Sequence, residues 1–147
     1  MKLADMQLKH YHFNRLLLEA APESSVDSGF LGMSAYREAN ADSLKTSILL
    51  AEPEAVSADE EPFFLLTLGL EYNQQGFPYS FAVEVDGIFS LSSVLGNSEE
   101  IRHRLVVNAA SILYSSVRDQ LLTLSARHKY GPMMLPSLDF RSIAPQR

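Results

Sequence analysis

Apolar and polar positions divide this chain into a strand-like first part and a helix-like last part. Residues 6–19, MQLKHYHFNRLLLE, alternate in two phases. Met6, Leu8 and His10 share one face, and Tyr11 and Phe13 the other; after Asn14 the phase moves to Leu16 and Leu18. Period-two alternation predicts a strand, and the phase slip predicts a bulge. A segment rich in Ser, Gly, Pro and acid follows and reads as a long loop with some extended structure. Residues 44–51 alternate again, with Leu44, Thr46, Ile48 and Leu50 set against Lys45, Ser47 and Leu49. The connector EPEAVSADEEP is acidic and turn-rich. The third strand is the most regular: Phe64, Leu66, Leu68, Leu70 and Tyr72 lie on one face, Leu65, Thr67, Gly69 and Glu71 on the other. Residues 73–76, NQQG, form a hairpin signal. The fourth strand sets Tyr79, Phe81, Val83 and Val85 against Ser80, Ala82, Glu84 and Asp86. Asp86 and Gly87 are then expected to turn the chain tightly into Ile88, Phe89, Ser90 and Leu91.

From Asn97 the period changes. Asn97 with Glu100 three residues on fits a capping box. Val106, Ala110, Leu113, Val117, Leu121 and Leu124 recur at helical spacing, and Ile112, Tyr114 and Leu122 widen the stripe. Asn108 is a candidate break between a short and a longer helix, and Gly131 with Pro132 is a stop signal. Four strands in series followed by a helix predict an α+β fold: a four-stranded antiparallel sheet packed on one face by a long C-terminal helix.

Length and composition change this picture little. The 147 residues fit one domain, large enough for a substantial core, and 46% are hydrophobic. The absence of cysteine excludes a disulfide framework and fits a reducing cytoplasm. The longest apolar runs, such as residues 62–70, are too short to cross a bilayer, and the N-terminus lacks a signal-peptide pattern. A soluble, cytoplasmic protein is expected. The net charge of −6 disfavours phosphate backbones, so nucleic acid is not an expected partner. That acidity fits a basic protein partner or simple solubility.

No chemistry stands out. His10 and His12 share a strand face at metal-ligand spacing, but no acid or cysteine completes a site, and a solvated face is the better reading. Arg102, His103 and Arg104 form a basic knot at a helix start, and His128 suits a helix C-terminus. Asp59, Glu60 and Glu61 sit in a connector before proline and read as a solvated turn. There is no nucleophile elbow, phosphate loop or dinucleotide fingerprint. An enzyme is not expected, nor a cofactor or metal. The positive feature is apolar material. The second faces of the last two strands keep Leu65, Gly69 and Ala82, which fits ordinary core, a subunit interface or a binding groove.

The run FAVEVDGIFSL resembles the strand and turn of SecB, the bacterial export chaperone family. Ile112, Leu113, Tyr114, Arg118, Asp119 and Arg127 resemble that family's long helix, and Leu135, Pro136 and Phe140 the segment after it. MQLKHYHFNRLLLEAAP resembles its first strand. The likeness spans nearly the whole chain and is dense from Phe81 onward. It implies a sheet backed by helices, a homotetramer built as a dimer of dimers, and ATP-independent holding of unfolded polypeptides in exposed grooves. It implies docking to the SecA motor through an acidic sheet face, to which Glu19 and Glu84 correspond. Arg15 stands where the family has an aspartate and Ala82 where it has a leucine; the residues after Phe140 are fewer than the family's groove-walling helix and tail.

Two readings follow from the resemblance. One is a SecB-like holdase serving protein export. The other is a module on the same fold dedicated to one partner, such as the antitoxin of a toxin–antitoxin system. In either, Phe89, Leu113, Tyr114, Val117, Leu121, Met133, Met134 and Leu135 are the expected groove or assembly residues. The two methionines suit adaptable contacts, with core packing as their alternative. A small-molecule or enzymatic site between sheet and helix is a third, weaker possibility.

Overall fold

A computed structural model describes residues 1–52, 61–91 and 99–142. Four strands, β1 (Met6–Ala20), β2 (Lys45–Ala51), β3 (Phe63–Tyr72) and β4 (Tyr79–Leu91), form one antiparallel sheet in the order β1-β4-β3-β2. The helix α1 (Glu99–Ser125) packs on one face, so the expected α+β architecture is present. β2, β3 and β4 are consecutive neighbours, and β1 lies along β4. The long connection after β1 therefore carries the chain to the opposite edge. It contains three short 3-10 turns, Glu23–Ser25, Ser28–Phe30 and Ala41–Ser43.

Residues directly opposite across antiparallel strands share a face, so the register sorts the sheet into two surfaces. The inner surface holds Phe64, Leu66, Leu68, Leu70 and Tyr72 of β3 against Phe89, Gly87, Val85, Val83 and Phe81 of β4. All ten are buried, as the alternation predicts. β1 reaches the same face by two register shifts, between Leu8 and His10 and between Phe13 and Arg15. The second is the slip legible at Asn14. The first corrects the sequence-based phase: it moves Met6 and Leu8 onto the face of Tyr11 and Phe13, and turns His10 outward beside His12. Two bulges thus align Met6, Leu8, Tyr11, Phe13, Leu16 and Leu18 on the helix side.

Gly87 does not end a strand. β4 runs unbroken through it, paired to Leu66 and Tyr11, and its φ is not positive. A Cβ there would come 2.8 Å from Leu113 Cδ2 and 2.8 Å from Phe89 Cε2. The missing side chain lets the helix approach the sheet. Gly76 is the residue that turns, with φ +88° in the β3–β4 connection, where Phe77 N–H donates to Gln74 O.

Nor does Asn108 break the helix. It is exposed, so its side chain faces solvent while the backbone ladder continues. The sheet-facing set is Val106, Ala109, Ala110, Leu113, Tyr114, Val117, Leu121 and Ser125, all buried. Glu99 and Glu100 occupy the first turn, where acid complements the helix dipole; the proposed cap Asn97 lies outside the described residues. The helix proper ends at Ser125, before the stop signal at Gly131, whose φ is +79°. Between them Ser125 Oγ accepts the Met133 N–H at 2.8 Å, and His128 Nδ1 meets Leu124 O at 2.7 Å.

The tail after Gly131 is laid across the core. Met133, Leu135 and Phe140 are buried. Arg118 Nε donates to Leu135 O at 3.2 Å, and the Tyr114 hydroxyl donates to Pro136 O. Tyr79 holds the start of the tail, donating to Gly131 O at 2.7 Å and accepting from Tyr130 N–H at 3.0 Å. On its other side the tail pairs with the long connection, where Ala39 N–H donates to Met134 O and Met134 N–H to Arg37 O.

Candidate functional site

The residues expected to form a groove or assembly face divide sharply. Phe89, Leu113, Val117, Leu121, Met133 and Leu135 are at most 2% exposed, and Tyr114 is 4% exposed. They pack between sheet, helix and tail, so within this chain they are core. Met134 is half-buried and holds the tail through its backbone. The physical reason is simple. A helix stripe and a strand face bury themselves against each other before they have anything to offer a partner. Burial accordingly pushes the Tyr114 hydroxyl up to about 12 and raises that of Tyr79.

Besides Met1 and Leu3 near the N-terminus, the described residues leave a different apolar set outside, in four places. Tyr11, Leu16 and Leu17 are exposed along β1, an edge strand. Leu31, Met33 and Tyr36 are exposed on the long connection, with Met33 fully in solvent. Leu49 and Phe63 are exposed on the outer sheet face, beside half-buried Leu65 and Ile88. Ile112 is exposed on α1, on the side towards the start of β1. There, Met6, Ile101, Leu105 and Ile112 line a groove of about 580 Å³ between the start of β1 and the helix. Signals for part of this set are present in the sequence. Three consecutive leucines, 16–18, cannot all face inward from one strand, and Leu31 and Met33 interrupt a polar loop.

The loop bearing Met33 and Tyr36 has a firm anchor. Arg37 is buried, and its guanidinium donates to Gly32 O at 2.8 Å and Ala35 O at 3.1 Å. Phe30, Phe77, Tyr72 and Phe81 pair in series, centroids 5.1–5.4 Å apart, the first two pairs edge-on and the last stacked. The exposed side chains are therefore presented on a held loop.

The outer sheet face carries both charge signs. Glu84 and Glu19 lie on it, both exposed. The row Leu17–Ala82 separates them, and Arg15 stands opposite Glu84. Lys45 stands opposite Glu71. Among the described residues none of these five charged groups forms an ion pair within 4.0 Å. Between them lies a shallow hollow of about 330 Å³ over Gly69 and Ala82. His10 and His12 lie further along, with ring centroids 5.3 Å apart; His12 Nε2 is 3.5 Å from Asp86, which accepts from Thr67 Oγ1 at 2.7 Å. Among the described residues no group of three or more metal-ligating side chains comes together, and no helix is long and apolar enough to cross a membrane.

A four-stranded antiparallel sheet with one long helix on its inner face is the architecture of a SecB-like fold. Solved structures share it. One is the SecB-like chaperone Rv1957 of Mycobacterium tuberculosis in complex with a ChAD peptide from the HigA1 antitoxin. It is 13% identical, with a TM-score of 0.51 over 91% of this chain and 91% of that one. Another is a protein of unknown function from Streptococcus agalactiae, 11% identical, with a TM-score of 0.59 over 90% of this chain and 97% of that one. No family model and no curated sequence matches the chain. At these identities the likeness establishes the fold: this chain has a SecB-like fold.

Proposed function

We propose that this protein binds polypeptide segments as an ATP-independent holdase. The observation that carries the reading is the exposure of large apolar side chains at several separate places on a SecB-like frame, above all Leu31, Met33 and Tyr36 on an anchored loop. Scattered apolar surface of this kind binds weakly at each place and gains by linkage along an unfolded chain. The Mycobacterium tuberculosis neighbour, seen with an antitoxin peptide, supports a polypeptide as the ligand.

The exposed side chains of Tyr11 and Leu16 on the inner face of β1, together with the groove beside Ile112, supply the surface for assembly, and a homotetramer is the form we assign. The reading has no place for catalysis, and its setting is the cytoplasm. Coupling to the SecA motor, and with it a role in export, would rest on Glu19 and Glu84. Arg15 opposite Glu84 gives this face a mixed character that favours a different partner. A single antitoxin-like partner is thus the second reading, favoured by the neighbour's peptide complex.

Aggregation of a chemically unfolded model protein, followed by light scattering, tests the first reading. Suppression near stoichiometric ratio is expected, and a Met33→Asp/Tyr36→Asp variant should lose most of it. Absence of suppression at severalfold excess would defeat the holdase reading. One stoichiometric co-purifying polypeptide from the native host would favour the dedicated module.

A further inference from the structure

The two edges of the sheet are built differently. β1 carries two bulges and the charged residues Lys9, Arg15 and Glu19. Bulges and charges are what sheets use to keep foreign strands away from an edge. β2 has neither. Its register with β3 is unbroken over all seven residues, and residues 46–51, TSILLA, are uncharged. Among the described residues no backbone hydrogen bond is made on its free side. Leu49 is 49% exposed on the outer face, next to the half-buried Leu65 and Ile88. An edge of this kind presents alternating N–H and C=O groups that only another extended backbone can satisfy together.

We infer that β2 is a strand-addition site, taking an extended, uncharged polypeptide segment as a fifth strand. The inference rests on the polypeptide-binding reading and says where such a segment lies. Backbone pairing gives affinity without demanding one sequence, and the Leu49, Leu65 and Ile88 surface accepts every second side chain. The lack of charge on residues 46–51 matches an apolar segment and would leave a charged one uncompensated. A second copy of the chain is the lesser occupant. A contact along seven residues falls in the small-interface class, below about 1,200 Å², which suits a transient ligand better than a lasting dimer.

Hydrogen–deuterium exchange on the full chain, with and without a reduced and alkylated unfolded protein, tests this. Slowed exchange at alternate amides of β2 is expected on binding. A Leu49→Lys/Ala51→Lys variant should bind the same unfolded protein about tenfold more weakly, as expected from losing two cross-strand contacts. A Thr123→Lys/Ala126→Lys variant, equal in charge on exposed helix-end positions, should bind within about twofold of the parent. Circular dichroism checks that both variants fold, and the exchange measurement needs no variant at all. Binding by the parent with unchanged β2 exchange would overturn the edge site and leave the holdase reading standing. No binding by the parent would overturn both. Slowed β2 exchange that grows with protein concentration in the absence of the unfolded chain would show self-pairing and overturn the assigned occupant.

Discussion

Replacing Gly87 by alanine separates two explanations of this glycine. Its φ is not positive, so alanine meets no backbone penalty, and a strand position even favours a side chain over none. The cost comes from packing. The new Cβ would lie 2.8 Å from Leu113 Cδ2, 3.2 Å from Leu113 Cδ1 and 2.8 Å from Phe89 Cε2, all inside van der Waals contact. Both neighbours are fully buried and cannot swing into solvent. Overpacking of one methyl in such a core costs about 1–3 kcal/mol. Leu113→Ala alone should cost about 2.7–5 kcal/mol through its cavity. In the double variant the alanine methyl enters space that Leu113 has vacated, so the two losses should fall short of their sum by about 0.5–3 kcal/mol. Urea unfolding at one fixed protein concentration measures this, because assembly would make stability concentration-dependent. Additivity within about 0.5 kcal/mol would refute the packing explanation.

Three further outcomes follow from side-chain polar contacts. Tyr114→Phe leaves Pro136 O without its donor and should cost about 1–3 kcal/mol at neutral pH. Because burial holds the Tyr114 hydroxyl at about 12 against about 10 when unfolded, the unfolded chain loses that proton first, and the parent's stability falls as pH rises between these values. The gap between parent and variant should therefore narrow above pH 10, by at most about 1.4 kcal/mol per pH unit; a constant gap in urea titrations would contradict this. Arg37→Lys loses the fork that spans Gly32 O and Ala35 O, so limited proteolysis should cut within residues 30–36 markedly faster than in the parent, and unchanged cleavage would show that the loop is held by other means. Arg141 holds the Asp139 carboxyl at about 2, first through side-chain hydrogen bonds and then through its own N–H. Arg141→Ala should return it towards about 3.9 in an NMR titration, while in the parent whatever this contact contributes is present at neutral pH and fades as pH falls towards 2.

The sheet and the helix were legible because a buried face must be apolar at the period of its element, and β3 shows that pattern without exception. The first bulge of β1 was harder, since His10 continues the alternation of Met6 and Leu8 and hides the slip at Lys9. Strand order was not written in periodicity, because any neighbour can cover an apolar face. The site was least legible. A stripe such as Leu113, Val117 and Leu121 has the same spacing whether it meets this chain's own sheet or a partner, and only the structure shows that the sheet takes it.

That ambiguity bears on what a SecB-like fold can say about function. Inner-face residues answer to the fold, which asks only for apolar volume, so chains 11–13% identical can share the frame. The outer face answers to whatever the protein meets, and there this chain carries Arg15 opposite Glu84, a hollow over Gly69 and Ala82, and a β2 edge uncharged from residue 46 to 51. Function on this frame must be read from these outward features and from the exposed loop at Met33 and Tyr36, since a shared fold does not by itself fix a partner.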